Sequence, residues 1–474
     1  MVVQKFGGTS VADPDAIRRL IDIVRTSRAA EGTGPAVVVS AMSGVTDALL
    51  KIASQAGAGQ LDVALESLAA LRGRHLQAVD ALVDASQRAT LVASMQEHFE
   101  QLEAVVKTIA ATGETSPRTL DAVASAGELL NSRLVAAALV GAGLPGVWVD
   151  ARKAVVTNDD YTRAIPLAAE TDTAMRAHVG AQVDAGQVPV LGGFVGATTD
   201  GHTTTLGRGG SDYSGALVGA GIGAREIQIW TDVDGMLTAD PRVVSNPRLV
   251  PSLSFAEAAE LAYFGAKVLH PSTILPAIEH DIPVRILNSR KPEGTGTVIT
   301  ATGLVPGSNG ASGGASSQTG SANGQTSTAT PVTAFACKKG VTVVDITSSR
   351  MLMAYGFLRQ VFEVFERFRT AVDVVTTSEV SVSVTVDDTR DLDAIVAALR
   401  AFGEVSVEGD MALLCAVGDR FRSDPHLGAR VIGVLEEVPL RMISQAASRR
   451  NITVIMRQAD LAQAMQRVHE EFFG

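Results

Sequence analysis

The chain has 474 residues, which exceeds one ordinary domain and predicts two or three. Its net charge of -11, from 51 acidic against 40 basic residues, argues against a nucleic-acid-binding protein, because phosphate contacts need a basic face. The two cysteines, Cys337 and Cys415, are far apart, so we expect no disulfide framework and a reduced environment.

A cytoplasmic location is expected from the same patterns. The chain enters a strand-like run at Val2 without a basic and then apolar leader. The most apolar run, residues 134–149, is interrupted by glycine and proline and falls short of the roughly 20 clean residues of a membrane span.

From residue 1 to about 300, short β-branched runs alternate with helical patterns. The dipeptide Asp13-Pro14 supplies a helix N-cap followed by proline at the first helical position. Residues 61–142 are rich in helix formers. This alternation predicts a mostly parallel sheet with helices on both faces. The predicted strands lie at residues 2–6, 37–39, 188–191 and 227–230.

Residues 303–332 are rich in Gly, Ser, Thr and Ala, and no charged residue occurs from 294 to 337. Such a segment buries too little apolar surface to offset its ordering entropy, so a flexible linker is predicted. We therefore expect domains at 1–302 and 333–474.

After residue 332 the pattern predicts two small βαββ-type units, each with a half-buried antiparallel sheet. In the first unit, Val380, Val382, Val384 and Val386 alternate with polar residues. The predicted strands lie at 341–346, 372–375, 380–386, 405–407, 413–417, 441–444 and 452–455, and the predicted helices at 357–368, 391–402, 427–436 and 459–472.

A glycine turn follows the first predicted strand, at residues 5–10 (Lys-Phe-Gly-Gly-Thr-Ser). Consecutive glycines let backbone N–H groups approach an anion, and the next helix N-terminus favours negative charge. Lys5 adds a mobile positive charge. From the residues alone, a phosphate cradle and a plain strand-to-helix turn both remain open.

A second glycine-rich loop spans residues 207–212 (Gly-Arg-Gly-Gly-Ser-Asp) and precedes a helical pattern. Arg208 is suited to clamp a carboxylate, and Asp212 to cap the helix or orient a lysine. The alternative is a capped helix start with an incidental arginine.

Further segments carry weaker signals. Residues 230–235 (Trp-Thr-Asp-Val-Asp-Gly) end a predicted strand, where ligands bind in open α/β sheets, although a tight Asp-Gly turn explains them equally. Lys267 lies beside a glycine in 264–271. The run 141–146 has dinucleotide-fingerprint spacing, but it follows a helix and precedes a strand, the reverse of the required context. The histidines show no metal-ligand spacing, and no protein metal ligand is predicted.

Taken together, the segments at 5–10, 125–128 (Ser-Ala-Gly-Glu), 204–212, 230–232 and 264–271 resemble the aspartate kinase family in order and spacing. The resemblance covers nearly the whole chain except residues 303–332. It implies a three-layer αβα amino-acid-kinase domain with a mostly parallel sheet, followed by two α+β ACT domains (βαββαβ, ferredoxin-like).

The implied reaction transfers the γ-phosphate of ATP, with Mg²⁺, to the side-chain carboxylate of L-aspartate, opening the route to lysine, threonine and methionine. The resemblance implies that Lys5 and Lys267 face the phosphates, that Asp212 organises the lysines, and that Glu128 and Arg208 hold the substrate ammonium and a carboxylate. Thr46 and Ser211 complete the aspartate site. The nucleotide site is implied to contain Lys5, Gly7, Gly8, Thr9, Thr231, Asp232, Arg242, Lys267 and Val268.

The C-terminal half resembles the effector segment of the feedback-inhibited, single-function class. This implies an amino-acid effector bound between ACT domains of two subunits in a homodimer or a dimer of dimers. Lysine is the first candidate for this effector and threonine the second. The implied effector residues are Met351, Asp373, Thr377, Ser378 and Glu379. Two alternatives remain open: a non-catalytic ACT-type amino-acid sensor, and a glutamate-type amino-acid kinase.

Overall fold

The structure is a computed structural model that describes residues 1–266, 269, 271–303, 331–351, 355–445 and 448–474. It divides into two compact units. The first comprises Met1–Met236, Pro251–Phe255 and Val268–Ser308, and the second Leu237–Val250, Ala256–Lys267 and Asn309–Gly474. The domain limits at 302 and 333 stay predictions, and most of the predicted linker lies outside the described residues.

The first unit is built on an eight-stranded sheet. Its strands are β1 (Val2–Phe6), β2 (Ala36–Val39), β3 (Gly146–Trp148), β5 (Val188–Gly192), β8 (Glu226–Thr231), β9 (Ser252–Ser254), β10 (Val284–Asn288) and β11 (Thr297–Thr300). Their order is β3-β5-β2-β1-β8-β10-β11-β9, and every pairing is parallel except β10 with β11. The predicted mostly parallel sheet is confirmed. A small second sheet contains β4 (Val156–Thr157), β6 (Val195–Thr198) and β7 (Thr203–Thr205).

The helices of the first unit cover both faces of the eight-stranded sheet. Phe6 and Val39 point into a buried cluster with α1, α2 and α6, whereas Lys5, on the opposite face of β1, meets Gly215 of α10. An added Cβ at Gly219 of α10 would lie 2.6 Å from Ile227, so glycine permits the close approach. The helices are α1 (Pro14–Glu31), α2 (Val45–Gly57), α3 (Leu61–Leu82), α4 (Ala85–Thr112), α5 (Pro117–Ala124), α6 (Ala126–Gly141), α7 (Ala151–Ala154), α8 (Ala168–Met175), α9 (Ala181–Asp184), α10 (Gly210–Gly221) and α12 (Leu275–Glu279).

Among the described residues, one helical stretch, Pro117–Gly141, is long and apolar enough to cross a membrane by length and composition. However, 83% of its most apolar window is buried inside the structure. A helix that is apolar all round and enclosed by protein is typical of a core segment.

The second unit contains a six-stranded antiparallel sheet in the order β13-β14-β12-β15-β17-β16. Its strands are β12 (Ala334–Thr347), β13 (Val375–Thr377), β14 (Ser381–Val386), β15 (Glu404–Val417), β16 (Leu440–Gln445) and β17 (Asn451–Arg457). Its helices are α13 (Phe357–Arg367), α14 (Leu392–Leu399), α15 (Pro425–Val434) and α16 (Leu461–Phe473), while α11 (Phe255–Tyr263) begins at the last residue of a first-unit segment.

Two strand predictions in this unit were wrong. The strands predicted at 405–407 and 413–417 are one 14-residue strand, β15, which pairs with the equally long β12. The Gly409-Asp410 step is not a strand end: Asp410 has a φ of 54°, and the pairing shifts register opposite it. In addition, β13 begins at Val375 rather than at residue 372.

Candidate active site

The site is organised by an ion pair between the two glycine-rich loops. Lys5 lies near the end of β1, in the middle of the parallel sheet, and Asp212 lies in the first turn of α10. Lys5 Nζ is 2.6 Å from Asp212 Oδ1, and the side chains are only 9% and 18% exposed. Two segments more than 200 positions apart in sequence therefore meet at the carboxyl end of β1.

The turn after β1 is tightly packed around that lysine. Gly7 donates its N–H to the carbonyl of Trp230 at 3.0 Å, and Gly8 begins a short 3₁₀ turn that contains Thr9. A Cβ added at Gly7 would lie 3.6 Å from Lys5 Nζ, and one at Gly8 would lie 3.4 Å from the carbonyl oxygen of Ala41. The glycines thus bring backbone close to the charged amine, as a phosphate cradle requires.

A cavity of about 290 Å³ opens beside the ion pair. It brings together five of the residues predicted from sequence: Lys5, Thr46, Glu128, Ser211 and Asp212. Its remaining lining residues are Ser40, Phe194, Gly207, Gly209 and Gly210.

Sequence reasoning missed Ser40 and Phe194. Phe194 has a φ of 68°, in the left-handed region that a bulky residue rarely adopts. It follows the pair Gly192-Gly193, where an added Cβ would lie 2.9 Å from the Glu128 carbonyl oxygen and 2.8 Å from Ser211. The glycine pair at the end of a buried strand was the sequence signal that could have identified Phe194 as a residue that lines the cavity.

Glu128, in the first turn of α6, is the most strongly perturbed acid of the cavity. Its side chain is buried, and burial raises its pKa to about 8. Among the described residues, none donates a hydrogen bond to its Oε2 atom. A cation that enters the cavity would supply the missing partner and favour the carboxylate.

Arg208 stands apart from these residues. It is exposed and does not line the cavity, although Gly207 and Gly209 on either side of it do. Both glycines have left-handed φ values, 72° and 74°, which set the course of the loop that carries the guanidinium.

The predicted nucleotide residues are spread over both compact units. Thr231, half-buried at the end of β8, donates a hydrogen bond to the exposed Asp232 at 3.3 Å, and both belong to the first unit. Arg242 belongs to the second unit, where it is exposed and its guanidinium donates to both carboxylate oxygens of Asp240. Lys267 and Val268 lie outside the described residues.

The predicted effector residues belong to the second unit. Asp373 is already paired, since Lys338 Nζ lies 2.9 Å from its Oδ2 atom. Thr377, Ser378 and Glu379 are exposed at the turn between β13 and β14, and Met351 ends a short 3₁₀ turn.

In the part of the chain that the structure describes, no group of three or more His, Cys, Asp or Glu side chains is arranged to hold a metal ion. Mg²⁺ is commonly held by substrate phosphates with few protein carboxylates.

Comparison with known proteins places this geometry in a family. The Amino acid kinase family profile matches residues 1–288, and an ACT domain profile matches residues 414–472. The chain is 35% identical over 484 residues to lysine-sensitive aspartokinase 3 of Escherichia coli K12, covering 100% of this chain and 99% of that protein.

Two solved structures of E. coli aspartokinase III match 100% of both chains at 34% identity. The complex with aspartate and ADP (R-state) gives a TM-score of 0.80, and the complex with lysine and aspartate (T-state) gives 0.79. The chain therefore belongs to the aspartokinases of the amino acid kinase family.

Proposed function

We propose that the protein transfers the γ-phosphate of ATP to the side-chain carboxylate of L-aspartate, giving 4-phospho-L-aspartate and ADP. The observation that carries this proposal is the single cavity that joins Lys5 and Asp212 to the buried Glu128. A lysine beside a glycine turn suits a phosphate, and a buried carboxyl group with one oxygen that accepts no hydrogen bond from the described residues suits an ammonium. The relatives named above are aspartokinases, and one of their structures contains aspartate and ADP. The product leads towards lysine, threonine and methionine.

The phosphate end of the reaction is assigned to the turn after β1. Gly7, Gly8 and Thr9 surround the phosphates, and Lys5 stabilises the negative charge that develops on the transferring group. Asp212 holds the Lys5 amine in place through the 2.6 Å ion pair. Lys267 is proposed as a second cation on the same group.

The amino-acid end is assigned to the opposite side of the cavity. Glu128 pairs with the substrate ammonium and Arg208 with the α-carboxylate, while Thr46 and Ser211 donate hydrogen bonds. The side-chain carboxylate oxygen attacks the γ-phosphorus as the bond to the β–γ bridging oxygen breaks. The nucleophile is already ionised, so no general base is required, and positioning and electrostatics supply the catalysis.

The remaining nucleotide contacts are proposed for Thr231, Asp232, Arg242 and Val268. Mg²⁺ is proposed to arrive on the nucleotide, where it neutralises phosphate charge.

Regulation is proposed to follow the lysine-sensitive relative. Lysine, with threonine as the second candidate, would bind at Met351, Asp373, Thr377, Ser378 and Glu379, between ACT domains of two subunits in a homodimer or dimer of dimers. We propose the cytoplasm as the compartment, supported by Cys337 and Cys415, both of which are free thiols.

An assay of ADP release tests the reaction and its substrate. We expect turnover with aspartate and little with glutamate or N-acetylglutamate. Lys5→Met should lower kcat by about 100-fold or more, the usual cost of removing one electrostatic stabiliser of the transition state. Lys51→Met, a change at an exposed lysine on α2, is the matched control and should retain wild-type turnover.

Two results would count against this assignment. A preference for glutamate or N-acetylglutamate would refute the substrate. A folded protein that binds lysine but releases no ADP with any of the three compounds would instead indicate a non-catalytic sensor.

A further inference from the structure

Asp121 is a buried carboxylate outside the cavity. It lies on α5 and is 1% exposed, yet none of the sequence motifs includes it. Buried carboxylates are costly unless they accept several hydrogen bonds, so its partners indicate its role.

Three donors from two distant segments converge on Asp121. The Thr162 N–H group lies 3.0 and 2.9 Å from the two carboxylate oxygens. The Thr205 N–H group donates to Oδ2 at 3.0 Å, and the Thr205 hydroxyl donates to Oδ1 at 2.6 Å. One side chain therefore joins α5 to the loop at residue 162 and to the end of β7.

Both partner residues, Thr162 and Thr205, lie next to the loop that carries Arg208. Thr205 ends β7, two residues before Gly207. Thr162 is held at a φ of 72°, a left-handed conformation that costs energy for a β-branched residue. A Cβ added at Gly207 would lie 3.2 Å from the carbonyl oxygen of Thr162, so the anchored loop also supports the glycine.

On its other side, Asp121 is linked to Glu128 through a short, rigid path. The backbone carbonyl of Asp121 accepts from Ser125 N–H, and the carbonyl of Ser125 accepts from Leu129 N–H, at 3.0 and 3.1 Å. Glu128 thus lies about two helical turns from Asp121 in sequence, with no intervening loop to absorb movement.

We propose that Asp121 is a positioning residue that sets the distance between Glu128 and the 207–211 loop, and so the fit of the amino-acid end of the substrate. This role rests on the proposed function. It predicts that loss of the carboxylate weakens the binding of aspartate more than that of ATP, because the glycine turn at Gly7 and Gly8 is held by a separate hydrogen bond, from Gly7 N–H to the carbonyl of Trp230.

The test compares Asp121→Asn, Thr205→Val and Thr205→Ser with the wild type. Asp121→Asn should raise the KM for aspartate about tenfold and change the KM for ATP less than about twofold, since small displacements of positioning groups are costly. Thr205→Val, which loses only the hydroxyl contact, should show a smaller rise of the same kind. Thr205→Ser, which keeps the hydroxyl, should have the wild-type KM for aspartate.

Asp159→Asn is the matched control, because Asp159 is exposed in the loop that contains Thr162. It should leave both KM values unchanged. Melting temperatures are measured alongside. If Asp121→Asn does not fold, the comparison of Thr205→Val with Thr205→Ser tests the positioning role. These two variants differ by a hydroxyl and a methyl group.

The experiment distinguishes failure of the positioning role from failure of the proposed function. An unchanged KM for aspartate in folded Asp121→Asn, or equal rises of both KM values, would overturn the positioning role alone. Identical KM values for Thr205→Val and Thr205→Ser would also overturn it. A wild type without aspartate-dependent ADP release would overturn the proposed function, and this role with it.

Discussion

At the scale of single residues, Glu128 is the group whose chemistry the fold changes most. Burial raises its pKa to about 8 from an ordinary value of 4.5. The free protein therefore holds much of this residue protonated at neutral pH, whereas an ammonium ligand needs the carboxylate. Binding must then release a proton, and the apparent affinity for aspartate becomes dependent on pH.

We expect the KM for aspartate to fall as pH rises, by about tenfold per unit well below pH 8, and to level off above it. Glu128→Gln cannot ionise, so its KM should be high and flat over the same range. Steady-state kinetics from pH 6.5 to 9 provide the measurement, with the KM for ATP as an internal control. A wild-type KM that does not change with pH would remove Glu128 from the ammonium site.

The same shift has a consequence for stability, with a definite sign. A carboxyl group with a raised folded pKa binds protons more tightly in the folded than in the unfolded state. Its contribution to the free energy of unfolding therefore decreases as pH rises from about 4.5 to about 8. Glu128→Gln should remove this contribution from the ligand-free protein.

At the scale of elements, β12 contacts several other segments of the second unit. Lys338 on this strand lies 2.9 Å from Asp373 and 2.6 Å from Asp387, and the Tyr263 hydroxyl of α11 donates to Asp373 at 3.4 Å. The Asp373 side chain is only 7% exposed, and Lys338 is its ion-pair partner. A proposed effector residue is thus fixed by the packing of β12 and α11.

Lys338→Met should lower the free energy of unfolding by about 1–2 kcal/mol, because it leaves the Asp373 carboxylate largely buried without its ionic partner. Lys339→Met changes the next lysine, which is exposed, and should alter the free energy by no more than about 0.5 kcal/mol. Urea denaturation of both variants measures the difference. Equal effects would show that the Lys338 pair contributes little.

Elements specified by local signals were predictable from sequence. The strand at Val2–Phe6 has its predicted limits, and the predicted Asp13 cap accepts a hydrogen bond from Ala16 N–H at 2.8 Å. The continuity of β15 was not predictable, because Gly409-Asp410 has the composition of a turn, and pairing with β12 continues on both sides of it through a register shift.

The candidate site likewise contains residues that local sequence identifies and residues that only distant contacts identify. Lys5, Glu128 and Asp212 belong to glycine-containing motifs, whereas Asp121 sits in an ordinary helical sequence. Its contacts with Thr162 and Thr205 span 41 and 84 residues, and no local pattern reports such pairings.

At the scale of the whole molecule, the cavity and the proposed effector residues belong to different compact units. The chain passes between the units after Met236, Val250 and Phe255, so several covalent connections join them. Inhibition by an amino acid at the second unit must therefore be a coupling free energy between two sites, and such coupling is reciprocal.

We expect lysine to weaken aspartate binding by a factor within the typical range of about 5–150, and aspartate to weaken lysine binding by the same factor. Calorimetric titration of each ligand, with and without the other at saturation, measures both factors, and threonine serves as the comparison effector. Unequal factors would contradict a single coupled equilibrium. If neither lysine nor threonine binds, the regulatory proposal fails, while the aspartate kinase assignment is tested independently by the ADP-release assay.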